Sequence, residues 1–252
     1  MHRYKLTVTL YRLIKVIVTL IALLAGGAAA AKDCVVLLHG LARTASSMNT
    51  MEEALQDDGY VTANVDYPSR DYEIAELAGI AVEKGLAACR AYDGLEKIHF
   101  VTHSLGGILL RQYLSTASIA ELGRVVMLGP PNQGSRASDE MRGVPGFDWL
   151  NGPAGYQLGK GADSVPVALG PVQFELGVIA GNRTIDPITS AFLDDPDDGR
   201  VSVEDTKVDG MDDFIVVEHS HAFMMRMRRP IELTKAFLHT GSFSGGDGTT
   251  AQ

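Results

Sequence analysis

Thr102-His103-Ser104-Leu105-Gly106-Gly107 sets a serine between an apolar run, Ile98-His99-Phe100-Val101-Thr102, and a helical segment, Leu105–Leu114. A serine on a tight strand-to-helix turn is presented as a nucleophile. Its hydroxyl is exposed, and the free N–H groups at the helix start favour negative charge developing there. The usual form of such a turn is Gly-x-Ser-x-Gly, because the residues two before and two after the serine must be small for strand and helix to approach. Gly106 meets that demand, and Thr102 departs from it at the other position.

A serine nucleophile needs a base, an acid to orient that base, and two amides to hold the oxyanion. Leu37-Leu38-His39-Gly40-Leu41 ends another apolar run. The N–H groups of Leu41 and Leu105 are the expected oxyanion donors, with Gly40 allowing the tight turn. His39 precedes the nucleophile and is read as holding its loop by hydrogen bonds. For the order serine, acid, histidine, the base comes from His219, His221 or His239. His221 is favoured over His219, because Ala222-Phe223-Met224-Met225 follows it, and His239 ends a surface helix. Candidate acids are Asp186, Asp194, Asp195, Asp197 and Asp198. Asp198-Gly199-Arg200-Val201 supplies a turn that can fix a carboxylate, with Asp186 before Pro187 as the alternative.

These groups must be carried by elements ending at one edge. Cys34–Leu38, Tyr60–Val65, Ile98–Thr102, Val125–Leu128, Phe174–Ala180 and Phe214–Val217 read as strands. Ser47–Asp58, Ile74–Ala88, Leu105–Leu114 and Ile231–Leu238 read as helices. Strands alternating with helices over short connections imply right-handed crossovers, hence an α/β fold with a mostly parallel sheet of about six strands and helices on both faces. Residues 129–173 break the rhythm with Gly, Pro and scattered aromatics, and are expected to form a lid or acyl-binding wall at the carboxyl edge, where ligands bind in open sheets. If the first and third strands are neighbours, Cys34 and Cys89 meet at the opposite edge. A disulfide there would contribute roughly 3–4 kcal/mol.

Residues 1–31 carry Arg3, Lys5, Arg12 and Lys15, then an apolar run, then Gly26-Gly27-Ala28-Ala29-Ala30-Ala31. That order reads as a secretory signal, or as an uncleaved membrane anchor, and places the rest of the chain in the periplasm or outside the cell. Its removal takes away four positive charges and no acid, moving the formal charge from −9 to −13. Such a surface excludes a nucleic-acid partner. Residues 32–240 make one domain, and the Gly/Ser/Thr-rich segment 241–252 is expected to be disordered.

On His39-Gly40-Leu41, Thr102–Gly107, Gly129-Pro130-Pro131-Asn132-Gln133-Gly134-Ser135, Asp197–Val201 and His219–Met225, the chain resembles the α/β-hydrolase superfamily. The resemblance is to its bacterial lipase-like and esterase branch, related to lipases and glycosylphosphatidylinositol deacylases. It covers about residues 33 to 240. It implies an α/β-hydrolase fold lacking the first hairpin, and a triad acid in an Asp-Gly-x-Val turn with the base about twenty residues later. Asp198 with His219 or His221 keeps that spacing, and Thr102 is the departure. The expectation is a serine hydrolase cleaving carboxylic esters or lipids through an acyl-enzyme on Ser104, without cofactor or metal. Membrane association would run through the N-terminus or the lid. The rivals are an acyltransferase or amidase with the same triad, and a non-catalytic tethered binding or chaperone module.

Overall fold

The computed structural model describes residues 32–245, so the expected targeting segment and residues 246–252 lie outside the described residues. Strand β1 (Lys32–Leu38) holds Val35, Val36, Leu37 and Leu38, all fully buried. A continuous apolar run is what a parallel strand covered on both faces requires. The sheet is completed by β2 (Val61–Val65), β3 (Leu95–His103), β4 (Leu122–Leu128), β5 (Leu176–Gly181) and β6 (Asp213–Val217). The order is β2-β1-β3-β4-β5-β6, and every pairing is parallel.

The two-residue alternation of the strands divides the core. Val36, Leu38 and Phe100 face helices α2 (Ile74–Arg90) and α3 (Leu105–Leu114), in one cluster with Ile74, Leu77 and Leu109. Val35, Leu37 and Val101 pack on the other face with Met51 and Leu55 of α1 (Asn49–Asp57) and with Leu233 and Phe237 of the last helix. This is the expected two-faced α/β arrangement. Gly85 lets α2 lie close on β1, since a Cβ there would stand 3.1 Å from Val36 Cγ2 and closer still to Cγ1.

Cys34 and Cys89 form a disulfide with Cα atoms 5.8 Å apart. Cys34 is paired with Ile98 of β3, so the bridge sits at the amino end of the sheet.

Residues 129–173 contain α4 (Arg136–Glu140), α5 (Phe147–Tyr156) and α6 (Val165–Ala168). Gly146 and Gly152 take φ of 91° and 58°, breaking this stretch into pieces too short for a periodic signal. A short helix α7 (Pro187–Ser190) follows β5, and α8 (Arg228–Thr240) closes the chain. Pro230 falls in the first turn of α8, where a missing N–H costs no helix bond, so this helix starts earlier than Ile231.

Order also extends past Gly241, in place of the disorder expected from that residue. Phe243 is buried against Phe237 with ring centroids 5.1 Å apart, and its N–H donates to Asp213 Oδ2 at 2.7 Å. One aromatic residue anchors a segment whose composition is otherwise that of a flexible tail.

Candidate active site

Strand β3 delivers Ser104 into a left-handed conformation, φ 53° and ψ −119°. That region costs a non-glycine residue on the order of 1–3 kcal/mol and persists only when its surroundings enforce it. Here the Ser104 N–H donates to Leu128 O at 2.9 Å, and Ser104 O accepts from Gly107 N at 3.0 Å. The helix then leaves directly across the end of β1. A Cβ on Gly106 would stand 2.6 Å from Leu38 O and 2.9 Å from His39 O, so only glycine fits. Thr102 is fully buried, and its hydroxyl is 3.2 Å from where a Gly107 Cβ would be. The space the turn needs is therefore supplied on the helix side.

Asp198 and His221 follow β5 and β6. The carboxylate is 1% exposed and spread over three donors. Oδ1 accepts from Arg200 N at 2.9 Å and Val201 N at 2.8 Å, and Oδ2 accepts from His221 Nδ1 at 2.7 Å. The Asp198-Gly199-Arg200-Val201 turn, with Gly199 at φ 95°, thus fixes the carboxylate. With Nδ1–H committed to Asp198, Nε2 is the basic atom of His221.

His221 is also held by its main chain. Its N–H donates to Asp198 O at 3.0 Å, and its carbonyl accepts from His103 Nε2 at 2.9 Å. His103 is 1% exposed, and its Nδ1 has no partner among the described residues. Burial, then the neighbouring His221 and Arg43, hold its pKa well below the usual histidine range, so it acts as a neutral donor.

Ser104, Leu41, His103 and His221 border one cleft of about 380 Å³, whose apolar wall includes Met141, Phe147, Leu150 and Leu158. The wall is contributed by the 129–173 segment. Among the described residues the N–H groups of Leu41 and Leu105 have no acceptor, and the Ser104 hydroxyl makes no hydrogen bond. The loop carrying Leu41 is braced by His39. Its ring stacks on Tyr67 at 3.9 Å, Nδ1–H donates to Gly40 O at 2.8 Å, and Nε2 accepts from Tyr67 N at 3.4 Å. The Tyr67 hydroxyl donates to His39 O. Gly40 is required as well, since a Cβ would stand 2.8 Å from His103 Nδ1.

The other candidates lie apart from this pair. Asp186 caps α7, accepting from Thr189 N at 3.2 Å, and pairs with Arg200 at 3.1 Å. Asp197 accepts from Gly199 N and from the Ser190 hydroxyl. Asp194 pairs with Arg136 at 3.4 Å, and His239 bonds Asp58 at 2.7 Å on the surface. The main chain of His219 is used, its carbonyl accepting from Arg183 N at 3.4 Å.

A family model described as "Alpha/beta hydrolase family" matches residues 35–236. The chain belongs to the α/β hydrolase family. None of the curated proteins matches this α/β hydrolase in sequence. Among solved structures it is similar to the mature lipase BlEst2 of Bacillus licheniformis, with 21% identity and a TM-score of 0.62 over 80% of this chain and 89% of that one. Phospholipase PlaB of Legionella pneumophila aligns at 15% identity and TM-score 0.66, over 86% of this chain and 61% of that one. The metagenomic carboxyl esterase MGS0156 aligns at 19% identity and TM-score 0.58, over 77% and 66% respectively. At these identities the likeness is one of fold.

Two residues of this hydrolase's site have no role readable from local sequence. Gly129, φ 55°, faces the Asp198–His221 pair, and a Cβ there would stand 3.0 Å from both Asp198 Oδ2 and His221 Nδ1. Gly181 ends β5 beneath Asp198, where a Cβ would stand 2.9 Å from the Asp198 Cβ. Their only sequence signal is that each is a glycine closing an apolar strand, at the edge where ligands bind.

Proposed function

We propose that this chain is an exported carboxylic ester hydrolase, lipase- or esterase-like, working through an acyl-enzyme on Ser104. The observation that carries the reading is the buried 2.7 Å Asp198–His221 pair, whose histidine borders the same cleft as a serine held at positive φ. A polar network of this cost has little structural return at a sheet edge. It suits a site where an imidazole must be oriented and its cation stabilised.

In the proposed cycle the serine rotor and the imidazole close on each other as substrate binds, a step common in ligand-free sites. His221 Nε2 takes the Ser104 proton while Oγ attacks the ester carbonyl carbon. The negative charge that passes to the carbonyl oxygen is held by the N–H groups of Leu41 and Leu105. The tetrahedral adduct collapses, the C–O bond to the alcohol breaks, and His221 returns the proton to the leaving oxygen. Water then attacks the acyl-enzyme by the same route, releasing the acid and restoring Ser104. Asp198 stays ionised throughout. The acyl chain lies along the wall formed by Met141, Phe147, Leu150 and Leu158. Export rests on the character of residues 1–31, with the Cys34–Cys89 disulfide as its structural counterpart.

The test is hydrolysis of p-nitrophenyl esters from acetate to palmitate, together with labelling by a fluorophosphonate. Wild type is expected to turn over esters and take up the label. Ser104→Ala is expected to lose at least ~10³-fold in kcat and all labelling. A folded wild-type chain that neither labels nor hydrolyses would favour a non-catalytic binding module.

A further inference from the structure

Arg43 borders the same cleft as Ser104 and His221. It is half-buried, three residues beyond Gly40 on the loop that carries Leu41. Among the described residues it makes no hydrogen bond and no ion pair. Its charged neighbours are of its own sign, Arg226 and Arg200, and burial together with these two lowers its proton affinity. Arg200 also borders the cleft and shares its charge with Asp186 at 3.1 Å.

This arrangement is costly for the free protein. A guanidinium stays protonated at any physiological pH, so the charge cannot be shed. A partly desolvated cation beside two like charges raises the free energy of the chain unless a counter-ion is present. The chain has 31 acids against 22 lysines and arginines, so acids are plentiful, yet among the described residues none reaches Arg43. An acidic surface repels anions at long range, and a local arginine cluster reverses that field at the cleft.

We propose that Arg43, supported by Arg200 on the same cleft, is an anion-binding subsite that selects esters bearing a phosphate group near the scissile bond. The guanidinium fork matches phosphate oxygens by two parallel N–H···O bonds. The ligand class is therefore amphipathic, with an acyl chain against the Phe147 and Leu158 wall and a phosphate at Arg43. This rests on the ester-hydrolase reading for its catalytic consequence, while the binding of phosphate does not.

Two measurements separate the two ideas. The first is calorimetric binding of glycerol 3-phosphate to the wild-type protein, Arg43→Gln, Arg43→Lys and Arg200→Gln. The second is the ratio of kcat/KM for dibutyrylglycerol 3-phosphate over dibutyrylglycerol, both as monomers. The same ratio is then measured for long-chain phosphatidic acid over diacylglycerol in phosphatidylcholine vesicles. The wild type is expected to bind glycerol 3-phosphate and to favour the phosphate ester at least ~10-fold. Arg43→Gln should bring the ratio near one, chiefly through KM, with Arg43→Lys and Arg200→Gln in between. Selectivity on the monomers assigns a soluble phosphate ester, and selectivity on the vesicles alone assigns a lipid headgroup. Either supports the subsite. Binding that depends on Arg43 without hydrolysis of any ester would keep the subsite and remove the ester-hydrolase reading. Absence of glycerol 3-phosphate binding, or selectivity unchanged in Arg43→Gln, would overturn the subsite.

Discussion

Asp198 holds His221 at two points: its Oδ2 accepts the Nδ1–H at 2.7 Å, and its main-chain carbonyl accepts the His221 N–H at 3.0 Å. The second bond needs no side chain. A substitution at 198 that keeps the backbone in place therefore tests the carboxylate alone. In Asp198→Asn the amide can offer an N–H to Nδ1, which favours the tautomer with its proton on Nε2 and removes the base. The expected result is a loss of about 10⁴-fold in kcat for p-nitrophenyl butyrate, with a folded chain by circular dichroism. Activity within tenfold of wild type would remove Asp198 from the triad.

The turn geometry gives a paired glycine test. A Cβ on Gly106 would stand 2.6 Å from Leu38 O, a backbone atom that cannot move aside cheaply. Gly106→Ala is expected to destabilise by about 1–3 kcal/mol through overpacking and to displace Ser104. Gly79, in α2, meets nothing within 4 Å. Gly79→Ala is expected to stabilise by about 0.5–1 kcal/mol, since alanine is the better helix former. Urea melts of both variants check this, and equal effects would contradict the close approach of α3 to β1.

Much of this site is legible in the sequence because its signals are local. Ser104 sits at a change from strand to helix periodicity, Asp198 sits in a turn with Gly199, and His221 follows an apolar strand. The parallel sheet is legible for the same reason, since β1, β3 and β4 are apolar runs with helical segments between them. What could not be read are contacts between distant segments. Gly129 matters because Asp198 and His221 arrive beside it from other strands. His103 matters because its Nε2 reaches the carbonyl of a residue 118 positions away. The helices of 129–173 escaped because Gly146, Gly152 and Pro153 interrupt any periodic pattern. Order beyond Gly241 depends on Phe243 finding Phe237, which composition does not record.

Stability should depend on pH through His103, and the sign follows from its depressed pKa. The folded state resists a proton that the unfolded chain accepts near pH 6.5. His39 and His99 are depressed in the same direction, chiefly by burial. Stability is thus full above the unfolded pKa and falls as the pH drops below it, by up to about 1.4 kcal/mol per pH unit for each such histidine. Urea melts at pH 7.5, 6.5 and 5.5 are expected to show this slope, shallower in His103→Gln. A variant with the wild-type slope would mean that His103 takes its proton freely in the fold.

The disulfide should contribute to stability and not to chemistry. Cys34 opens β1 and Cys89 lies in the last turn of α2, at the amino end of the sheet, while Ser104 follows the carboxyl end of β3. The bridge spans a sequence separation of 55, for which loop-closure entropy gives about 4 kcal/mol. The double variant Cys34→Ala, Cys89→Ala is expected to lose about that much in denaturant melts. Its kcat on p-nitrophenyl butyrate, measured well below its melting temperature, should stay within about twofold, because the strands between bridge and site remain packed. A large fall in kcat in the folded variant would show that the bridge constrains the site, contrary to its place at the opposite edge.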